Sequence, residues 1–281
     1  MEIKAPAKIN WAIDILGKRE DGYHYVDMIM QQIELYDFIT LEKGNEIKVS
    51  CTNNEVPAGS KNLCYKSAVL YLKKAGIKNG VNIYIEKIIP VAAGLAGGSS
   101  DSAAVLKALN MMYEAFSESE LLKIGAEIGA DVPFCIKGKT MRATNIGDEL
   151  TNVNAGNVFD IVLVKPPLGV STKQIYAAYD TIPQKNENKY AQKTAEAIEE
   201  GSAEKLALNM GNALEPVTFS LFPKLKKVKS EVLQSGAAAA IMSGSGPTII
   251  GLYKNREDAE KATVYLKTIF KDYFIYKTKT L

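Results

Sequence analysis

The chain has 281 residues, 47% hydrophobic and 23% charged, with a formal net charge of +2; that is length for two compact domains and too little basic excess for a nucleic-acid partner. One histidine argues against a histidine triad or multi-histidine metal site, and three cysteines (Cys51, Cys64, Cys135) at no metal-ligand spacing argue against a disulfide or zinc framework and fit a reducing cytoplasm. No run approaches the ~18 apolar residues that span a bilayer, and Met1-Glu2-Ile3-Lys4 is not the apolar opening of a secretion signal.

Residues 8–15 alternate as a strand, with Ile9, Trp11, Ile13 and Ile15 on one face and Lys8, Asn10 and Asp14 on the other, expected to be wet. Glu20-Asp21-Gly22 is a turn leading to Tyr23-His24-Tyr25, an aromatic pair that serves either strand packing or stacking on a base. Strands are expected at 28–35, 38–41 and 47–51, then a helix over 61–75 closed by Gly76. A β-branched strand over 81–89 runs into Pro90-Val91-Ala92-Ala93-Gly94-Leu95-Ala96-Gly97-Gly98-Ser99-Ser100-Asp101-Ser102-Ala103, and helix formers follow from Ala104 to Tyr113. A strand, a glycine-rich loop and a helix start together offer backbone N–H groups to a phosphate chain. The plainer alternative is a turn capped by Ser99 or Ser100. The loop is neither a Walker A nor a Rossmann sequence.

Ser117-Glu118-Ser119-Glu120 is a capping box for a helix ending between Gly125 and Gly129. Asp131, two residues before Pro133, reads equally as an N-cap or as a working carboxylate. Residues 134–136 and 140–144 are expected to form a strand pair, and the polar stretch 152–157 marks a domain boundary near 154. Beyond it come a buried strand at 159–164 and helices at 172–180, 189–200, 203–213 and 220–234. A strand–glycine turn–strand over 237–253, a helix at 256–270 and a strand at 273–278 complete an α+β half, an open sheet with helices on one face.

Three separated motifs now stand in order: Lys8-Ile9-Asn10, the 90–103 loop, and Ala239 to Thr248 with Ser243-Gly244-Ser245-Gly246-Pro247. Together they resemble the GHMP kinases, the superfamily of galactokinase, homoserine, mevalonate and phosphomevalonate kinases. Ala5-Pro6-Ala7 before Lys8, Asp21-Gly22-Tyr23-His24 and Gly129-Ala130-Asp131-Val132-Pro133-Phe134 resemble the branch that phosphorylates a small polyol linked to cytidine diphosphate on the non-mevalonate isoprenoid route. The resemblance implies a two-domain α+β fold, ribosomal-protein-like over 1–154 and ferredoxin-like over 155–281. It implies Mg-ATP, with Pro90, Val91, Ala92, Ala93, Gly94, Leu95, Ala96, Gly97, Gly98, Ser99 and Ser100 around the phosphates and Asn62 and Lys87 at the adenosine end. Lys8 and Asp131 stand at the family's catalytic positions. Asn10 would hold the polyol, Tyr23 and His24 the cytosine, and Thr172 and Tyr176 would be second-domain partners, Tyr176 closing the base. Asp101 is read as favouring the helix start by its charge. Ala96 stands where the family often has glycine, Trp11 where it has an aliphatic residue. A small-molecule substrate is thus expected, with neither nucleic acid nor membrane as partner; the rivals are a related small-molecule kinase, an RNA-binding module and a catalytically dead nucleotide-binding regulator.

Overall fold

The computed structural model describes residues 1–182 and 189–281. Two compact units form, one from residues 1–8, 35–91 and 96–138, the other from 9–34, 92–95 and 139–281. Strands β1 (Glu2–Lys18) and β2 (His24–Gly44) are long enough to supply segments to both. β2 is one uninterrupted strand where the sequence suggests two, because Tyr36 and Asp37 keep the alternation going rather than breaking it.

In the first unit β3 (Lys48–Cys51) lies parallel to a strand that follows helix α1 (Leu63–Lys74): β4 (Gly80–Glu86), itself antiparallel to β2 with Phe38 opposite Glu86. Helices α2 (Gly97–Tyr113) and α3 (Glu118–Ile128) pack with α1, and α4 (Val132–Lys137) packs with α2 and α3. The capping box opens α3 as expected: Ser117 N–H donates to Glu120 Oε2 at 2.8 Å and Glu120 N–H to Ser117 Oγ at 3.4 Å. Residues 134–136 are helical, not the expected strand. A short apolar run has no period of its own. Here Pro133 opens a helical turn that Gly138, at φ 75°, ends.

In the second unit β5 (Thr140–Thr144) pairs antiparallel with β2, and with β6 (Glu149–Asn152). Strand β7 (Asp160–Lys165) leads to α5 (Thr172–Tyr179), α6 (Ala191–Glu199) and α7 (Ala203–Asn209). A two-residue strand, β8 (Gly211–Asn212), then lies parallel to β1 at Ala12 and Ile13. The single helix expected over 220–234 is two, α8 (Glu215–Leu221) and α9 (Lys224–Gln234), since Pro223 cannot donate within a continuous helix. Strands β9 (Ala239–Met242) and β10 (Ile249–Tyr253), helix α10 (Arg256–Ile269) and strand β11 (Phe274–Lys279) complete the unit. The antiparallel order β11-β7-β10-β9, with α9 and α10 against it, is the ferredoxin-like arrangement. Ile161 to Val164 are fully buried, so both faces of this strand are covered.

Trp11 is fully buried, and its indole N–H donates to Gln31 Oε1 at 2.7 Å. Trp11→Phe strands that oxygen away from water, so urea unfolding should show a loss of about 1–3 kcal/mol.

Candidate active site

The polar face of β1 is not wet: Lys8, Asn10 and Asp14 are at most 5% exposed. Burial of such groups demands partners. Asp14 accepts from the backbone N–H groups of Tyr190 and Ala191 at 2.9 and 2.8 Å, and burial still leaves its carboxyl above its ordinary pKa. Lys8 Nζ lies 3.6 Å from Asp131 Oδ2. Asp131 occupies the N-cap position of α4, yet its side chain makes no capping bond. Its carboxylate, about a third exposed, faces the lysine instead. An ammonium and a reachable carboxylate held this close can share one substrate group between them.

Helix α2 begins earlier than the sequence suggests, at Gly97, with Ala96 at its N-cap in the left-handed region (φ 53°). Ser99 and Ser100 are therefore inside the first turn rather than caps. Ser100 N–H makes the helix bond to Ala96 O at 2.9 Å, and Ser100 Oγ donates to Pro6 O at 2.7 Å, tying the helix to β1. The N–H groups of Gly97, Gly98 and Ser99 precede the first helical bond and are the ones available to an anion. Asn62 caps the neighbouring α1, accepting from Cys64 N–H at 2.8 Å. The helices meet through Ser67 and Ser102 hydroxyls, 2.7 Å apart. A Cβ on Gly98 would lie 3.7 Å from Leu63, the residue after Asn62, so the two helix starts are adjacent.

Beneath this start lies a sealed ion cluster. Lys87, its side chain 4% exposed, is bound by Asp37 and by Asp101 Oδ2. Asp37 Oδ1 also accepts from Ile88 and Ile89 N–H at 2.6 and 2.8 Å. Asp101 is thus a buried partner of Lys87; it does not act on the helix start by its charge. Burial, opposed by Lys87 and reinforced by Asp37, pushes the Asp101 carboxyl up to about 8. Burial works against the Lys87 ammonium, but the two carboxylates prevail and hold its pKa above the ordinary value. Gly97 permits the contact: a Cβ there would sit 2.9 Å from Lys87 Nζ.

The second unit carries the remaining residues. The turn after β9 binds the loop tip: Ser243 Oγ donates to Gly94 O at 2.9 Å and Thr248 Oγ1 to Ala93 O at 2.6 Å. Gly94, at φ 75°, could bear no side chain, since its Cβ would fall 2.4 Å from Ser243 O. Asn10 N–H donates to the same Ser243 Oγ at 3.3 Å, and its Nδ2 contacts Met28 Sδ. His24 and Tyr176 are brought together, ring centroids 5.0 Å apart. Thr172, one turn earlier on α5, meets Ser245 Oγ at 2.9 Å. Tyr23, in contrast, is 61% exposed.

Sequence reading passed over Asp37 and Asp180. Asp37 did carry a signal, being a charge in the inward register of β2 between Leu35 and Ile39, all three buried. Asp180, which accepts from His24 at 2.7 Å, carries none; it is simply the residue that ends α5. Burial acts to raise the Asp180 carboxyl, but hydrogen bonds from Lys18 and His24 bring it below its ordinary value. Among the described residues no cluster of three or more His, Cys, Asp or Glu could hold a metal. Nor is any described helix long and apolar enough to cross a membrane.

Family models for the GHMP kinase N-terminal and C-terminal domains match residues 62–139 and 194–272, which defines the class: a two-domain GHMP kinase. Relatives from Clostridium botulinum (strain Alaska E43 / Type E3) and Clostridium kluyveri, both named 4-diphosphocytidyl-2-C-methyl-D-erythritol kinase, are 44% and 45% identical over 99% of this chain and 100% of theirs. A solved 4-(cytidine 5'-diphospho)-2C-methyl-D-erythritol kinase superposes with TM-score 0.85 at 33% identity, covering 100% of this chain and 99% of that one. A homoserine kinase from Cytophaga hutchinsonii shares the fold alone, at TM-score 0.78 and 19% identity, over 100% of this chain and 94% of that one. The chain belongs to the 4-diphosphocytidyl-2-C-methyl-D-erythritol kinase family.

Two outcomes follow for the loop and its support. Ala96→Gly relieves a left-handed alanine and should raise stability by about 1 kcal/mol in chemical unfolding. Asp101 binds its proton in the folded state up to about pH 8, and in the unfolded chain only up to the ordinary aspartate value of 3.8. Its contribution to stability therefore falls as pH rises from about 4 to about 8. Lys87, with its raised pKa, stays charged in both states through that window. Compared with Asp101→Asn, the parent protein should lose unfolding free energy between pH 5 and pH 9; a difference flat across that range would contradict the assignment.

Proposed function

We propose that this chain transfers the γ-phosphoryl group of ATP to the 2-hydroxyl of 4-diphosphocytidyl-2-C-methyl-D-erythritol, a step toward isoprenoid precursors by the non-mevalonate route. The observation that carries the reading is the Lys8–Asp131 pair at 3.6 Å in a chain of this family. Phosphoryl transfer passes through a loose transition state, so placement and charge neutralisation supply most of the rate. Asp131 accepts a hydrogen bond from the substrate hydroxyl, aims its oxygen at the γ-phosphorus and takes the proton as the new P–O bond forms and ADP departs. Lys8, carried on a rigid strand, neutralises the migrating phosphoryl oxygens.

The triphosphate is assigned to the N–H groups that open α2 and to the 90–100 loop, with Asn62 and Lys87 on the adenosine side. Lys87 serves from below: its ammonium is committed to Asp37 and Asp101, so its part is to hold the loop's entry. Mg²⁺ bound to ATP would add positive charge at the phosphates; this ion commonly keeps its waters and phosphate ligands and needs few protein carboxylates. Asn10 is assigned to the polyol, and His24, Tyr23, Tyr176 and Thr172 to the cytidine end. Grip on that remote base supplies the binding energy that orients a crowded tertiary hydroxyl. The two domains are assigned to residues 1–154 and 155–281. Three free cysteines suit work in the cytoplasm.

Purified protein with Mg-ATP should phosphorylate the cytidine-diphosphate-linked methylerythritol and leave mevalonate and homoserine untouched; the reverse preference would refute the reading. Asp131→Asn should lower turnover by about 10²–10⁴-fold with ATP affinity nearly unchanged. Near-normal turnover in that variant would remove Asp131 from the chemistry.

A further inference from the structure

We propose that Asp180 is a specificity-determining positioning residue: it fixes the tautomer of His24 so that Nδ1 accepts a hydrogen bond from the 4-amino group of cytosine and rejects uracil. The inference rests on the reading above, that the substrate presents a cytosine to His24.

The argument starts from donors and acceptors. Asp180 Oδ1 lies 2.7 Å from His24 Nε2, the only hydrogen bond of that imidazole among the described residues. An ionised carboxylate can only accept, so Nε2 carries the proton. A neutral imidazole has one N–H, which leaves Nδ1 as an acceptor. The carboxylate is itself held in place. Its Oδ2 receives Lys18 Nζ at 2.5 Å, and the Asp180 backbone N–H closes the last turn of α5 on Tyr176 O at 3.1 Å. The His24 ring, 5% exposed, is flanked by Tyr176 at 5.0 Å and by the edge of Tyr179 at 6.4 Å. One helix end thus supplies an aromatic face and the group that sets the neighbouring imidazole.

An acceptor here distinguishes the two pyrimidines. Cytosine offers N–H donors at position 4, where uracil offers a carbonyl oxygen. Facing Nδ1, uracil sets two acceptors against each other, and a site built to pair a substrate N–H rejects the analogue lacking it.

The test is Asp180→Asn. Lys18 has only protons to give, so it draws the amide carbonyl to itself and turns the –NH₂ toward His24. Nε2 must then accept, the proton moves to Nδ1, and the pocket should favour uracil. His24 is the only histidine in the chain, so ¹⁵N-histidine labelling reports on this one imidazole. In the parent protein the spectrum should show the Nε2–H tautomer, and CDP should bind at least about 10²-fold tighter than UDP by calorimetry. Asp180→Asn should show the Nδ1–H tautomer and a reversed preference. Lys18→Ala added to Asp180→Asn frees the amide to turn back and should restore preference for CDP. An Nδ1–H or doubly protonated imidazole in the parent protein overturns the proposal. So does an Asp180→Asn variant that keeps the parent's preference. Phosphorylation of the cytidine-linked substrate by the parent protein, with no discrimination between CDP and UDP, would sink the tautomer device while leaving the kinase reading intact. If neither phosphorylation nor CDP binding occurs, both fall together.

Discussion

A lysine ammonium sealed between two aspartate carboxyl groups decides where α2 can begin. Lys87 is bound by Asp37 of β2 and Asp101 of α2, and Asp37 also holds the N–H groups of Ile88 and Ile89. A charge this deeply buried is tolerable only when paired and hydrogen-bonded, and loss of one partner leaves the other exposed to a large desolvation cost. The strand exit, the loop entry and the first turn of the helix are therefore locked to one another. That lock leaves the unpaired N–H groups of residues 97–99 in a defined place, which an anion-binding helix start requires.

Strand β1 extends the same logic. Its central polar residues Lys8, Asn10 and Asp14 are as buried as the apolar ones between them, and buried polar groups there meet particular partners: Asp131 for Lys8, two backbone N–H groups for Asp14, and, for the inward Trp11, an amide oxygen of Gln31. A side chain on a strand has little freedom to wander. Lys8 and Asn10, two residues apart, share one face of that strand. One element thereby presents both the ammonium assigned to the phosphoryl group and the amide assigned to the polyol.

In the second unit a glycine-bearing turn and a helix end do comparable work. Ser243 and Thr248 hold the carbonyls of Gly94 and Ala93, so residues 92–95 are shaped by a segment about 150 positions away in sequence. The end of α5 brings Tyr176 and Asp180 to His24, while Tyr23 stays largely in solvent. Asp180 and Tyr176 thus reach the same imidazole from one helix end.

Local patterns carried a good deal of this. The capping box at Ser117, the alternation in β1, the final helix and strand, and the three motif segments are short-range signals, because caps and periodicities are set by neighbours in the chain. Resemblance at those motifs pointed to the family and to the residues placed in the two candidate clusters. What the chain alone left open are questions of pairing over distance. The run 134–136 has no helix or strand preference of its own, and the packing of α4 against α2 and α3 decided for helix. The expected wet face of β1 turned out dry, since burial depends on what later segments cover. The links from Asp37 to Lys87 and from Asp180 to His24 join residues 50 and 156 positions apart. Only tertiary structure could bring them together, because a carboxylate's partner is chosen by space and dielectric, and neither is written in its neighbours.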